Sequence, residues 1–166
     1  FDVRLAPREA RTPQTAGAEA VDLLIATNPG AAPQPLGRIA SGGELSRISL
    51  AIQVVTASAT TVPTMVFDEV DVGIGGAVAE VVGRLLRRLA GGAQVLCVTH
   101  LPQVAAQAHR QLKVSKAGDR KAARTTLAVL DDEGRIEEVA RMLGGVKVTD
   151  QTRAHAREML EEAAAG

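Results

Sequence analysis

Tryptophan and tyrosine are absent and phenylalanine occurs only as Phe1 and Phe67, so the chain has no row of aromatic rings on which nucleotide bases could stack. Any contact with DNA would go to backbone phosphates. A single cysteine excludes an intrachain disulfide framework. Cys97 stands inside the apolar run Val95-Leu96-Cys97-Val98 and reads as a buried structural thiol. Net charge is lacking too: 19 basic residues balance 19 acidic ones, which leaves no overall field to draw the chain onto a polyanion. No apolar stretch approaches the roughly 18–20 residues of a bilayer span, and no basic-then-apolar leader opens the chain. The expectation is a soluble, cytosolic protein with no membrane partner. Phe1 has no initiating Met before it, which reads as a segment of a longer chain.

What is present suits one domain: 166 residues, 46% of them hydrophobic, can bury a real core. Phe1 to Leu5 alternates like a half-buried strand, and Val21 to Ile25 is a second strand candidate. Asn28-Pro29-Gly30 and Pro33-Gln34-Pro35 predict an extended loop. A helix is expected from Gly43 to about Ala59, with Leu45, Ile48, Ile52 and Val55 at apolar spacing and Ser41 to Glu44 in capping-box form. Thr64 to Phe67 and Val95 to Thr99 read as buried strands. Between them, Ala77 to Ala90 reads as a helix with Val78, Val81, Val82, Leu85, Leu86 and Leu89 inward and Arg84, Arg87 and Arg88 solvated. A short helix from Pro102 to about Ala108, a hairpin of 111–116 and 124–130 around Gly118-Asp119, and helices near 133–143 and 150–164 complete an α/β pattern.

Three features place polar or flexible residues at the ends of regular elements, where ligand sites of open α/β sheets lie. Asp68-Glu69 closes a strand. Adjacent carboxylates repel unless a cation or a proton relieves them, which suits Mg²⁺ on Asp68 and leaves Glu69 to orient or deprotonate a water. A strand end opening into solvent carries acids as well. Ser41-Gly42-Gly43 leads into a helix whose free N–H groups and positive end suit a phosphate, although an ordinary N-cap has the same form. His100 ends the next strand, where it could bond a terminal phosphate or serve only structure. No second His or Cys stands at ligand spacing from it, so a transition-metal site is not supported. His109 and His155 read as surface residues.

Taken together, Ser41-Gly42-Gly43-Glu44-Leu45-Ser46-Arg47, Thr64 to Glu69 and His100 resemble the signature motif, Walker B strand and switch histidine of the ABC ATPase superfamily, in that order. Glu44 and Val70-Asp71 depart from the Gln and Pro-Thr usual in transporter domains and resemble the SMC-like branch. Within that branch, Thr27 to Gly30, Ile39 to Arg47, Phe67 to Ile74, Val98 to Ala105 and Ala140 to Gly145 are similar to the RecN family of bacterial DNA repair proteins. Gly75-Gly76 departs from that family's Ser-Gly, so no polar role falls to Gly75.

The resemblance implies that residues 1–166 form the C-terminal half of an ATPase head: a mainly parallel sheet flanked by helices, with a peripheral hairpin. An N-terminal half of the same head would supply the P-loop, across a long antiparallel coiled coil. In agreement, none of Lys113, Lys116, Lys121 and Lys147 follows a Gly, and G-x-x-x-x-G-K-[ST] is absent. Further implications are ATP sandwiched between two heads of a homodimer, with Ser41, Gly42 and Gly43 meeting the γ-phosphate of the partner's nucleotide. Asp68 would hold Mg²⁺, Glu69 the water, His100 the γ-phosphate in cis, and Asp71 contacts across the dimer. The implied setting is cytoplasmic, on the nucleoid, in double-strand break repair and recombination, with DNA engaged by the full-length protein. The alternatives are the nucleotide-binding domain of an ABC transporter and a non-catalytic interaction module. Arg110, Lys113, Lys116, Arg120, Lys121 and Arg124, against Asp119 alone, make the hairpin basic; it reads as solvated, with phosphate contact as the alternative.

Overall fold

A computed structural model of the chain describes residues 1–7, 17–26, 30–38, 42–56, 62–117, 124–145 and 147–165. Ser41, Thr27 to Pro29, Gly118-Asp119, Arg120 and Lys121 lie outside the described residues.

The chain opens with β1 (Asp2–Pro7) and β2 (Glu19–Ile25), paired antiparallel with Val3 opposite Leu23 and Leu5 opposite Val21. The proline-bearing stretch expected as a plain loop contributes β3 (Gln34–Pro35), which pairs with the end of β2 before a 3-10 turn at Leu36–Arg38. A proline is tolerated there because a strand of this length at a sheet edge has little need of its N–H.

The main core is built on two parallel strands, β4 (Thr64–Phe67) and β5 (Gln94–Cys97), with Phe67 opposite Cys97. Helices α1 (Gly42–Val55), α2 (Gly76–Leu89) and α3 (Pro102–Ala106) surround it. Leu50, Met65, Phe67, Val70, Ala79, Val82, Leu86, Leu89 and Val104 form one buried cluster. Pairing elsewhere among the described strands is antiparallel, so the parallel character resides in this pair.

Two helices turn faces inward that differ from the periodic reading. In α1, Gly43 and Leu50 are buried and Val54 packs on the core, whereas Leu45, Ile52 and Val55 are exposed. In α2, Val82, Leu86 and Leu89 are buried as expected, but Ala79 and Gly83 share the buried face while Val78 and Val81 are exposed. Small residues let α2 approach its neighbours closely, so burial follows packing distance rather than hydropathy alone. Of the α2 arginines, Arg84 and Arg88 are exposed as expected, whereas Arg87 is half-buried. Arg84 pairs with Glu80, and Arg87 Nη1 donates to the Gln107 carbonyl at 2.8 Å.

A second cluster, Ile136, Val139, Ala140 and Ala156, joins α4 (Asp132–Gly144) to α5 (Asp150–Ala165). Asp131 caps α4 by accepting from Gly134 N, and Gly145, at φ 64°, ends it. Thr149 and Thr152 exchange backbone-to-hydroxyl bonds at the start of α5, in capping-box manner.

The hairpin is β6 (Leu112–Ala117) and β7 (Arg124–Val129). Lys113 is not a free surface cation: its Nζ lies 2.6 Å from Glu138, which Arg141 also grips. Glu138 is 8% exposed, and bonding from Arg141, then from Lys113, holds its carboxyl below the usual carboxylate range against the opposing effect of burial. A depressed carboxylate stabilises the fold above its unfolded value of about 4.3, and that stabilisation is lost as pH falls through the lower folded value. Glu138→Gln in the full-length protein should therefore lower the melting temperature at pH 7, and the gap from wild type should narrow as pH falls below the unfolded value of about 4.3. A gap that stays constant with pH would contradict a charged clamp.

β4 and β5 are covered on one face only. Val66 and Leu96, directly opposite each other, are 67% and 45% exposed, and Val98 beyond them is also exposed. Val3, Leu5, Val21 and Leu23 on the first sheet are exposed too, as are Leu112, Val114, Leu127 and Val129 on the hairpin, where β7 is exposed throughout. Strands expected to be buried or half-buried thus leave whole apolar faces open, because no described element of the chain lies over them. Exposed apolar area on this scale marks an interaction surface.

Candidate functional site

Because β4 and β5 are parallel neighbours, their carboxyl ends open onto one edge. After Phe67 the chain makes a tight turn through Asp68 and Glu69. Asp68 Oδ1 accepts from Glu69 N at 2.9 Å, and Val72 N donates to the Glu69 carbonyl at 3.2 Å. Glu69 has φ 59°, the only positive value at a described non-glycine residue. That conformation costs on the order of 1 kcal/mol or more for a residue with a Cβ and clusters at functional sites.

The first turn of α1 is fastened to this turn. Ser46 Oγ donates to the Asp68 carbonyl at 2.9 Å and Arg47 Nη1 to the Val72 carbonyl at 2.7 Å. Gly43 suits the approach, since a Cβ there would meet the Val72 and Glu69 carbonyls at 3.0 and 3.1 Å, while one on Gly42 would stand 2.5 Å from Glu69 Oε2, the movable end of a side chain. The glutamate side chain therefore rests against the start of α1.

From the β5 side, Thr99 and His100 meet the same turn through Asp71. Asp71 is 2% exposed. Its Oδ2 accepts from Thr99 Oγ1 at 2.6 Å and from His100 N at 3.0 Å, and lies 3.2 Å from His100 Nδ1. The His100 ring is itself 70% exposed. Asp71 thus takes two donors of the β5 end within its own chain, with the His100 ring beside them.

One edge consequently gathers Gly42, Gly43, Asp68, Glu69 and Asp71 with His100. Asp68 and Glu69 are exposed, unlike Asp71. Behind them, burial first and the charges of Asp71 and Asp68 next push the Cys97 thiol up to about 12, so it stays protonated at neutral pH. That agrees with a structural cysteine. Among the described residues no group of three or more His, Cys, Asp or Glu could hold a metal. A lone carboxylate with one oxygen free of internal bonds still fits Mg²⁺, which retains waters and takes phosphate oxygens as its other ligands. A groove of about 970 Å³ lies between α2, α3 and α5, where Arg88, Gln103 and Glu162 line it, and it holds none of these residues. The edge is thus an open surface.

Sequence reading assigned no role to Ser46, Arg47 or Thr99. Their hydroxyls and guanidinium act across 22, 25 and 28 residues of chain, which no local spacing reveals.

The fold is that of an SMC-type ATPase head. A solved structure from work on ATP-driven dimerization and DNA stimulated activation of SMC ATPases matches with TM-score 0.51 and 19% identity, over 85% of this chain and 80% of that one. No protein-family model matches. Among curated proteins, DNA repair protein RecN of Xylella fastidiosa (strain Temecula1) is 54% identical over 160 residues, which is 96% of this chain and 29% of that protein. RecN of Vibrio cholerae is 55% identical over 87% of the chain and 26% of its own length, and RecN of Bacillus subtilis 41% identical over 98% and 30%. The chain belongs to the RecN family, spans under a third of these relatives' length, and fits the C-terminal half of the head. No helix among the described residues is long and apolar enough to cross a membrane.

Proposed function

We propose that this chain is the C-terminal lobe of a split ATPase head that hydrolyses ATP only when joined to a P-loop half and paired with a second head, in the service of DNA double-strand break repair. The observation that carries the reading is the single edge on which the start of α1, the Asp68-Glu69 pair and His100 meet. It has the acidic and glycine-rich parts of a phosphoryl-transfer site, while no lysine of the chain stands in a phosphate-cradling loop. The open apolar strand faces support the need for the other half, which the remaining length of the RecN relatives is sufficient to encode.

In this reading Asp68 holds Mg²⁺, which when bound neutralises charge on the phosphate oxygens. Glu69 orients and deprotonates the attacking water, and His100 meets the γ-phosphate. Ser41 with the Gly42 and Gly43 amides engages the nucleotide held by the second head. The struts from Ser46 and Arg47 then link what happens at that signature to the carboxylates of its own chain. DNA is engaged by the full-length protein; among the described residues Arg110, Lys116 and Arg124 are the exposed cations of the hairpin region.

Ser41→Arg in the full-length protein tests the arrangement. Nucleotide affinity should be retained, while head pairing is lost and turnover falls by at least about 10²-fold, the scale of losing a donor aimed at developing charge. Wild-type turnover with ATP-dependent pairing would sink the trans reading. Lost affinity in a folded protein would put Ser41 in its own head's pocket.

A further inference from the structure

We propose that Asp71 is a positioning residue of the ATPase site, whose buried carboxylate fixes the orientation and the proton-bearing pole of the His100 ring. The proposal rests on the reading of His100 as the residue that meets the nucleotide. A carboxylate can only accept, so Oδ2, 3.2 Å from Nδ1, favours a proton on that nitrogen. Nε2 is then the one pole left for a nucleotide or its water.

The arrangement exceeds what structure alone requires. Closing the β5 end onto the 69–72 turn needs one acceptor for Thr99 Oγ1 and His100 N, which a neutral side chain could supply. A charge 2% exposed is instead costly unless its partners use it. The third partner is a ring 70% exposed, whose capture adds almost nothing to the core. What the contact provides is a ring held in one pose at the edge where Asp68 and Glu69 stand. Thr99 completes the device: its hydroxyl donates to Asp71 and accepts from Leu101 N at 3.1 Å, fixing the carboxylate against the start of α3. The same carboxylate-to-imidazole logic orients the base of hydrolase triads and the ligands of metal sites.

The test is a cycle in the full-length protein: Asp71→Ala and Asp71→Asn, each with His100 intact and with His100→Ala. Asp71→Ala should lower kcat by about 10²-fold, as misplacement of a reacting group by an ångström does, with little change in KM. Asp71→Asn keeps an oxygen but loses the charge that strengthens the bonds, and should fall by roughly threefold to tenfold. Neither should reduce the residual turnover of His100→Ala further, because the effect passes through a ring no longer there. An equal loss in both backgrounds, or full turnover in both Asp71 variants, overturns the proposal. Should Asp71→Ala fail to fold, the Asn pair decides alone: loss only when His100 is present supports it, and no loss or equal loss overturns it. Wild-type turnover by His100→Ala alone would instead remove His100 from the site, and this inference with it.

Discussion

Glu69→Gln in the full-length protein is expected to lower ATP turnover by about 10²–10⁴-fold, the range of a positioned general base, with nucleotide binding retained. The substitution conserves shape and one oxygen, and the backbone at φ 59° has no reason to change. The Asp68 contact to the Glu69 N–H and the Val72 contact to its carbonyl involve only main chain on the Glu69 side, so the turn survives. What is lost is the ability to take a proton from water. Heads that can bind ATP but not cleave it should stay paired, so sedimentation or crosslinking in ATP should show a dimer that outlasts the wild type's. Unchanged turnover removes Glu69 from its role. Loss of nucleotide affinity would show instead that the glutamate, which lies against Gly42, serves to shape the phosphate site.

Phe67→Ala should destabilise the head by about 3–5 kcal/mol, the usual cost of emptying an aromatic site in a core. Phe67 is 6% exposed and is the one buried aromatic, since the other phenylalanine, Phe1, is 76% exposed. It shares one buried cluster with Leu50 of α1, Val82 and Leu86 of α2 and Val104 of α3, the helices that frame the edge. Few neighbours can fill the space, because Ala79 and Gly83 are already small. Phe67 also directly precedes Asp68, and Val98 N donates to its carbonyl at 2.9 Å. A collapse there moves both strand ends. Denaturant titration of the full-length protein, followed by hydrogen exchange in 64–100, should show the loss, with ATP turnover falling faster than the folded fraction. A change under about 1 kcal/mol would mean that the second half, not this cluster, holds the strands.

The strand-ending acids, the glycine pair and the histidine were legible because each is a local pattern read against a period. The ends of β4 and β5 are where short apolar runs stop, and two such runs joined by a helix imply parallel neighbours with their carboxyl ends on one edge. The α1 face was not legible. Leu45, Ile52 and Val55 are the more hydropathic set, yet the 43, 47, 50, 54 face turns inward. The struts from Ser46 and Arg47 help set the helix's rotation by bonding to carbonyls of the 68–72 turn. The partners of Asp71 within the chain were not legible for a similar reason: an acid in a loop after a strand has no periodicity to say which way it points. Ser41 lies outside the described residues.

By itself the sequence determined the order of elements, the α/β class, the membership of an SMC-like ATPase family and the lack of a phosphate-binding lysine loop, since all of these are written in local periodicity, turn chemistry and short motifs. The tertiary structure alone decided which partners those motifs have. It set Asp71 beneath His100, the glutamate against the start of α1, Lys113 in a clamp with Glu138, and the apolar strand faces open. Those outcomes depend on contacts between residues far apart in the chain, where packing distance and the demand of each buried charge for a donor choose the partner, and neither quantity can be read from neighbours in sequence.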